Sequence, residues 1–578
     1  MMHFYARTQA LILFLLGCLF VGQAAYADHD LAREPLPKSW KADAELTDVF
    51  FLNEQLGWSV GAQGVILRTT DGGRNWSEIS NAKNSSQNEL SLDQKFHNMR
   101  RGISTGSTGV VNESESAHHS INCRFESIHF IDENFGWIAG GYEVPYVDRS
   151  RAVILRTNDG GKSWHNVEGL LVPRINKIRF SNRAVGWAIG ETGNLFSSGL
   201  FMTTDGGATW ESPTSSKWKN WQDAVEVPGG YVAIDDEGLP NVIGRERYET
   251  SVLDRSLTGR FNELVMTDAN AGFAVGENGM FARTANGGMS WSAVDLNIES
   301  LPLSAVSDFD FHSITKVGKD VLFAGSPGTH LFRHDTVTGK TTALRTSIES
   351  GIRRICFVDE NNGWAVGSLG KVIATHDGGK NWELQRGKNL RVAMLCVASN
   401  FQELPLEILA KYASEDERIC ATAILNATPE QVRVATQAAE RLGSVTSVSY
   451  LNDQDVLRKL VREIRVLRPS VVVCNSDRVS ANQTMDPVVL LEQAIRMAAD
   501  SLSFPQQINS LGLEAWQVSR LVTLDPVGEV AIDGDRLLPR TGMLIEDHVS
   551  VSRALLGKSV LNRKGKTIAF HIILAAIE

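Results

Sequence analysis

The sequence predicts an all-β seven-bladed β-propeller followed by an α/β domain. Three observations predict it. A Gly-Trp pair followed by an Asp-Gly-Gly-x-x-Trp turn recurs along the first two-thirds of the chain. Two intervals between copies are about twice the ~40–45 residues of a usual blade. Near Gly387 the repeats stop, and strand-like runs begin to alternate with helix-period segments.

The first copy joins Gly57-Trp58 to Asp71-Gly72-Gly73 and Trp76. The second joins Gly136-Trp137 to Asp159 and Trp164, and the third Gly186-Trp187 to Asp205 and Trp210. The fourth reads Gly272-Phe273 with Asn286 and Trp291, and the fifth Gly363-Trp364 with Asp377 and Trp382. This is the Asp-box pattern. Its carboxylate or amide suits backbone N–H groups of a tight turn, its glycines tolerate positive φ, and its indole packs between sheets. The apolar runs before each turn, such as Val153-Ile154-Leu155, read as strands. A recurring acid fits a turn, because a catalytic acid is needed once. Each unit is a small sheet that buries its faces only by stacking radially on others.

The doubled intervals place two further blades without the turn. One falls at Gly230–Ile234, and the other at Val321–Gly325 with Thr329–Arg333. Five and two make seven blades over residues 38–388, with six and eight as neighbouring alternatives. The polar stretch 81–122 reads as a flexible surface insertion. The repeat set resembles the photosystem II assembly and stability factor family of propellers. That resemblance implies a non-catalytic binding scaffold; the photosystem role itself is not carried over, because fold does not fix function.

Residues 1–27 read as a secretory signal: Arg7, an apolar run Leu11–Val21, and the small-x-small site Ala25-Tyr26-Ala27. Lipoprotein processing at Cys18 is the alternative. The expected location is periplasmic or extracellular, with no transmembrane span in the mature chain. The net charge of −10 argues against a nucleic-acid partner. Beyond Cys18, the five cysteines Cys123, Cys356, Cys396, Cys420 and Cys474 match no metal or disulfide framework.

Asp boxes also occur in sialidases, which need an arginine cluster, a Tyr nucleophile with a Glu partner, and an acid/base Asp. Arg68, Arg156 and Arg283 recur just before the turn and form a candidate anion or partner patch. Solvated strand-edge arginines are the plainer reading. Tyr142, Tyr146 and Tyr231 show no such pairing in sequence. No catalytic residue, cofactor or metal ligand is assigned.

The C-terminal residues 390–578 open on Arg391–Ala398, a buried-strand pattern. Helical segments follow at Leu406–Ala413, Pro429–Leu442, Gln454–Leu467 and Val488–Ala499, with a strand at Val471–Cys474. The order, the run Leu467–Val473 and the segment Leu513–Leu521 resemble the LmbE/PIG-L family of N-acetylglucosaminyl deacetylases. That family's His-Pro-Asp-Asp motif is replaced here by Asn400-Phe401-Gln402-Glu403, and Asn482–Pro487 holds no histidine. One carboxylate without imidazole is not a tetrahedral zinc site. No Gly-x-Gly-x-x-Gly follows the opening strand. The expectation is an exported binding or assembly scaffold with a pseudo-deacetylase domain. Its expected partner is another envelope or extracellular protein, with carbohydrate as the other ligand class. The alternative function is a carbohydrate-active hydrolase, either a sialidase-like propeller or a zinc-dependent N-acetyl sugar deacetylase.

Overall fold

Every Gly-Trp or Gly-Phe strand pairs antiparallel with the strand before it and the strand after it, as in Leu46–Phe51, Gly57–Gly61 and Ile66–Thr69. The computed structural model describes residues 42–79, 123–145, 149–213, 219–244, 248–425, 427–449, 456–475, 486–524, 530–557 and 567–575. The expected leader at 1–27 and insertion at 81–122 lie outside them.

Seven separate antiparallel sheets follow one another along the chain, which makes the seven-bladed propeller. Their inner strands are Leu46–Phe51, Arg124–Phe130, Ile175–Phe180, Trp221–Val227, Phe261–Met266, Asp310–Val317 and Ile352–Phe357. Blades 4 and 6, which lack the Asp-Gly-Gly turn, are built on Gly230–Asp235 and on Asp320–Ser326 with His330–Asp335. Blade 5 takes a parallel fifth strand, Val252–Leu253, from the preceding connection.

The ring closes by side-chain packing of blade 7 on blade 1. Phe51 stacks on Trp364 at 3.5 Å, and the Trp364 indole N–H donates to the Gly72 carbonyl at 2.9 Å. The same join links blade 1 to blade 2 through Trp58, Phe130 and Gly160, and blade 2 to blade 3 through Trp137, Phe180 and Gly206. The Gly-Trp tryptophan of one blade thus stacks on the inner-strand Phe of the next and bonds its turn. Gly161 has φ +72°, and a Cβ there would overlap the Trp58 indole nitrogen. Both facts require glycine at that position.

In each turn, a Thr hydroxyl donates to the acid or amide and accepts from the second glycine. Thr157 Oγ1 donates to Asp159 Oδ1 at 2.8 Å and accepts from Gly161 N at 3.0 Å. Asp159 in turn accepts the amides of Lys162 and Ser163, each at 3.0 Å. Asp71, Asp205, Asn286 and Asp377 accept the corresponding amides of Asn75, Thr209, Ser290 and Asn381. The ring of the turn's Trp meets the Phe of its own blade edge-on, as in Trp76–Phe51, Trp164–Phe130, Trp210–Phe180 and Trp382–Phe357. Trp291 is fully buried beside Phe261.

The C-terminal region forms a seven-stranded mixed sheet. Strands Ser444–Ser449, Cys420–Ile424, Met394–Ala398, Val471–Asn475 and Arg520–Leu524 run parallel in that spatial order. Thr567–Ala575 then pairs antiparallel between Arg520–Leu524 and Val530–Asp533. Three helices matter below: α1 (Pro429–Glu440), α2 (Val456–Leu467) and α3 (Pro487–Ala499). Thr428 and Gln431 close a reciprocal capping box on α1, with Pro429 in its first turn. The segment begun at Leu406 passes from α-helix into a π-helical turn over Ala410–Glu415. The five described cysteines are free thiols.

Candidate functional site

The site begins with a defect repeated seven times. Each inner strand carries a β-bulge, so its register against the second strand skips one residue. The skipped residues are Thr47, Glu126, Asn176, Gln222, Asn262, His312 and Arg353. A bulge re-aims side chains. Here it lets two successive polar residues follow each buried apolar one, as in Phe125-Glu126-Ser127 and Phe311-His312-Ser313. The channel therefore has polar tiers that strict alternation would forbid.

The residue after each bulge knits the ring. Asp48, Ser127, Asp223, Glu263 and Ser313 accept the backbone amides of Ile128, Ile178, Leu264, Ile314 and Ile355 on the next blade. Blades 3 and 7 carry cations at this position. Lys177 donates to Asp223 at 2.6 Å, and Arg354 pairs with Asp48 at 3.2 Å and with Glu263. Glu263 belongs to blade 5, so Arg354 reaches past blade 6 across the channel, and this tier of charged pairs, Lys177–Asp223 included, forms the floor. Burial pulls the Lys177 ammonium down to about 8, against the pull of Asp223.

Above that floor lies a chamber of about 970 Å³. Its walls are the bulge residues and the entry residues Glu45, Arg124, Arg174, Arg260 and Asp310. Its roof is the C-terminal region. Helix α1 presents Pro429, Val432, Arg433, Thr436, Gln437 and Glu440, and α2 presents Lys459, Arg462, Glu463, Val466 and Leu467. Both sets recur at three- and four-residue spacing, so each helix offers one face. The other side of α2 is fixed by Arg465. Its fully buried guanidinium donates to the carbonyls of Met497, Ala498, Asp500 and Ser503 at the end of α3. A cation there also complements the helix dipole.

Charged pairs join roof to wall. Arg124 meets Glu45 at 2.6 Å, Glu126 at 3.0 Å, and Glu440 of α1. Arg433 meets Glu143 at 2.8 Å and Glu191 at 3.0 Å. Arg462 reaches the Asp308 carbonyl at 2.6 Å and Asp310 at 2.8 Å. Burial opposes the charge on Glu45, but Arg353 and Arg124 hold its carboxyl down to about 2. Burial pushes Glu440 up to about 7 despite Arg124, and Glu45 and Glu126 add to the rise. Burial, then Arg353, presses the His312 imidazole down to about 3.

The arginines singled out in the sequence lie elsewhere. Arg68, Arg156 and Arg283 occupy matching positions on the third strands of blades 1, 2 and 5, opposite Trp58, Trp137 and Phe273. Arg68 Nε donates to the Gly160 carbonyl at 2.9 Å, while Arg156 and Arg283 are exposed. Blades 1 and 2 are neighbours, and blade 5 is not adjacent to either. In the C-terminal region Asn400 caps a short turn, accepting from Gln402 N and donating to Glu403 at 2.6 Å. Most of Asn482–Pro487 lies outside the described residues.

The fold and site define a class: a seven-bladed propeller whose channel is floored by its own charged residues and roofed by an attached helix-and-sheet region. No protein-family model matches the chain. Over 124 residues it is 32% identical to the photosystem II assembly lipoprotein Ycf48 of Synechococcus sp. (strain CC9902). That match covers 21% of this chain and 35% of the relative, so it spans about a third of the relative's length. Among solved structures, YCF48 bound to a D1 peptide is similar at 18% identity and a TM-score of 0.41, over 61% of this chain and 98% of that one. YCF48 from Cyanidioschyzon merolae is similar at 17% identity and a TM-score of 0.40, over 59% and 97%.

Proposed function

We propose that this protein is an exported, non-catalytic binding and assembly scaffold. The observation that carries the reading is the local identity to an assembly lipoprotein, set within a propeller whose chamber charges engage one another. Groups committed to ion pairs and inter-blade hydrogen bonds hold a shape. The leader at 1–27 supports export to the periplasm or beyond, and another envelope or extracellular protein is the proposed partner. Arg68, Arg156 and Arg283 are the proposed contact points on the blades, two on neighbouring blades and one apart on blade 5. The parallel sheet and the altered Asn400–Glu403 motif support a pseudo-deacetylase origin for the C-terminal region.

Affinity capture from an envelope extract tests the reading, with the full chain as bait beside Arg156→Glu/Arg283→Glu. The expected result is a specific protein retained by the parent and lost from the variant. Hydrolysis of a sialoside panel, or deacetylation of N-acetyl sugars by the purified protein, would overturn it.

A further inference from the structure

We infer that the C-terminal region is a hinged lid on the propeller, pivoting over blades 6 and 7 and latched over blades 1 to 3. The inference goes beyond the scaffold reading and stands without it. Three observations carry it.

The chain crosses from propeller to lid at blade 7. Strand Glu383–Arg386 leads within a few residues to Met394–Ala398, through Gly387 at φ +84° and Asn389 at φ +62°. Contacts on that side are apolar and continuous. Val306, Phe309 and Phe311 of blade 6 and Leu369 of blade 7 belong to one buried cluster with Val392, Leu467, Leu511 and Leu513 of the lid. Arg458 and Arg462 add ion pairs to Asp308 and Asp310 there.

The opposite side is held by polar contacts. Gln63 donates to the Ser444 carbonyl at 3.2 Å. Gln437 accepts from Glu143 N at 2.6 Å and donates to the Glu143 carbonyl at 3.3 Å. Arg433 pairs with Glu143 and Glu191, and Arg124 with Glu440. Among the described residues, the buried apolar clusters of blades 1, 2 and 3 contain no residue of the lid. Between latch and pivot lies the chamber, which roof and walls enclose without filling.

The energetics follow from the two kinds of contact. Separating the apolar side exposes surface that water penalises throughout. Separating the charged side rehydrates ions whose burial was itself costly, so the net loss is small. Rotation about the blade 6–7 edge is therefore the least costly opening. It would expose α1 and the chamber mouth while α2 stays seated, a hinge closure of familiar kind.

Hydrogen–deuterium exchange on the full chain tests this. Raising salt from 0.05 to 0.5 M should speed exchange in α1 about tenfold and leave α2 and the strand Val471–Asn475 unchanged, because salt weakens a latch held by polar contacts, whereas the apolar cluster keeps the pivot seated even where its Arg458 and Arg462 pairs are screened. Arg433→Ala should give the same pattern at low salt, and Arg433→Lys should restore part of the protection. Gln437→Ala removes both hydrogen bonds to Glu143 without stranding a charge, and should open α1 even if Arg433→Ala folds poorly. Equal acceleration of α1 and α2, or exchange in α1 only on global unfolding in every variant, would overturn the hinge.

Discussion

The indole nitrogen of Trp58 donates to the carbonyl oxygen of Gly160 across 3.2 Å, joining blade 1 to the turn of blade 2. The same ring stacks on Phe130 with centroids 3.6 Å apart. Two kinds of contact on one side chain can be separated by substitution. Trp58→Phe keeps an aromatic face and loses the donor, so it should cost about 1–3 kcal/mol, with the Gly160 carbonyl left one bond short. Trp58→Ala also leaves a cavity at a fully buried position and should cost about 3–5 kcal/mol. Denaturant midpoints on the three proteins measure both steps.

The arginines before the turns behave differently from one another. Arg68 holds Gly160 through its Nε, so Arg68→Ala should destabilise by about 1 kcal/mol. Arg156→Ala and Arg283→Ala, at exposed positions, should stay within about 0.5 kcal/mol of the parent. Thermal unfolding measures the difference, and partner capture by the same variants separates a contact role from a structural one.

Five blades were legible because the Gly-Trp strand and its turn are local signals, and the turn's acid or amide precedes its Trp by the same five positions in every copy. Blades 4 and 6 were legible only through the doubled intervals around Trp187, Phe273 and Trp364. The chamber is hidden in the sequence for a physical reason. Thr47-Asp48, Glu126-Ser127 and Asn262-Glu263 break the two-residue period of a strand, and a broken period reads as a weak strand rather than a bulge. An apolar-polar-polar-apolar run at a fixed distance before each Gly-Trp was the signal that would have found it. The roof was less accessible still. The charged faces of α1 and α2 look like solvated helix faces until their partners, hundreds of residues away, are placed beneath them. The repeat marks the arginines beside the turns, whereas Arg124, Arg433 and Arg462 carry the roofed site.

Acidity should act on stability in two opposed windows. Burial raises Glu440 from 4.5 to about 7, ahead of the opposing Arg124. A raised carboxyl binds its proton more tightly when folded. Its contribution is fully present below about 4.5 and is lost as pH rises through about 7. The gap in unfolding free energy between Glu440→Gln and the parent should therefore move toward the variant by about 2–3 kcal/mol between pH 4.5 and 8. His312 and His129 work the other way. Burial first, then Arg353 and Arg179 respectively, lowers each imidazole from 6.5 to about 3. Their contribution is present above about 6.5 and is lost as pH falls toward 3. Urea titrations across pH should show His312→Gln gaining on the parent only on the acid side.

The chamber floor gives the sharpest separation of structure from lid. Lys177 and Asp223 are both buried and meet at 2.6 Å, and Asp223 also accepts the Leu264 amide. Lys177→Met strands a buried carboxylate and should cost about 3–5 kcal/mol. Asp223→Asn alone keeps an acceptor for Leu264 N and leaves the ammonium without its counter-charge. Paired with Lys177→Met, it should recover most of the loss, because the amide still bonds Leu264 and no charge remains buried. Double-mutant coupling from chemical denaturation measures this directly. This floor pair lies on blades 3 and 4, and its ion pair is separate from those of the latch groups Glu143, Glu191 and Glu440. Exchange in α1 should thus be the same in the double variant as in the parent, whereas a lid resting on the floor would loosen with it.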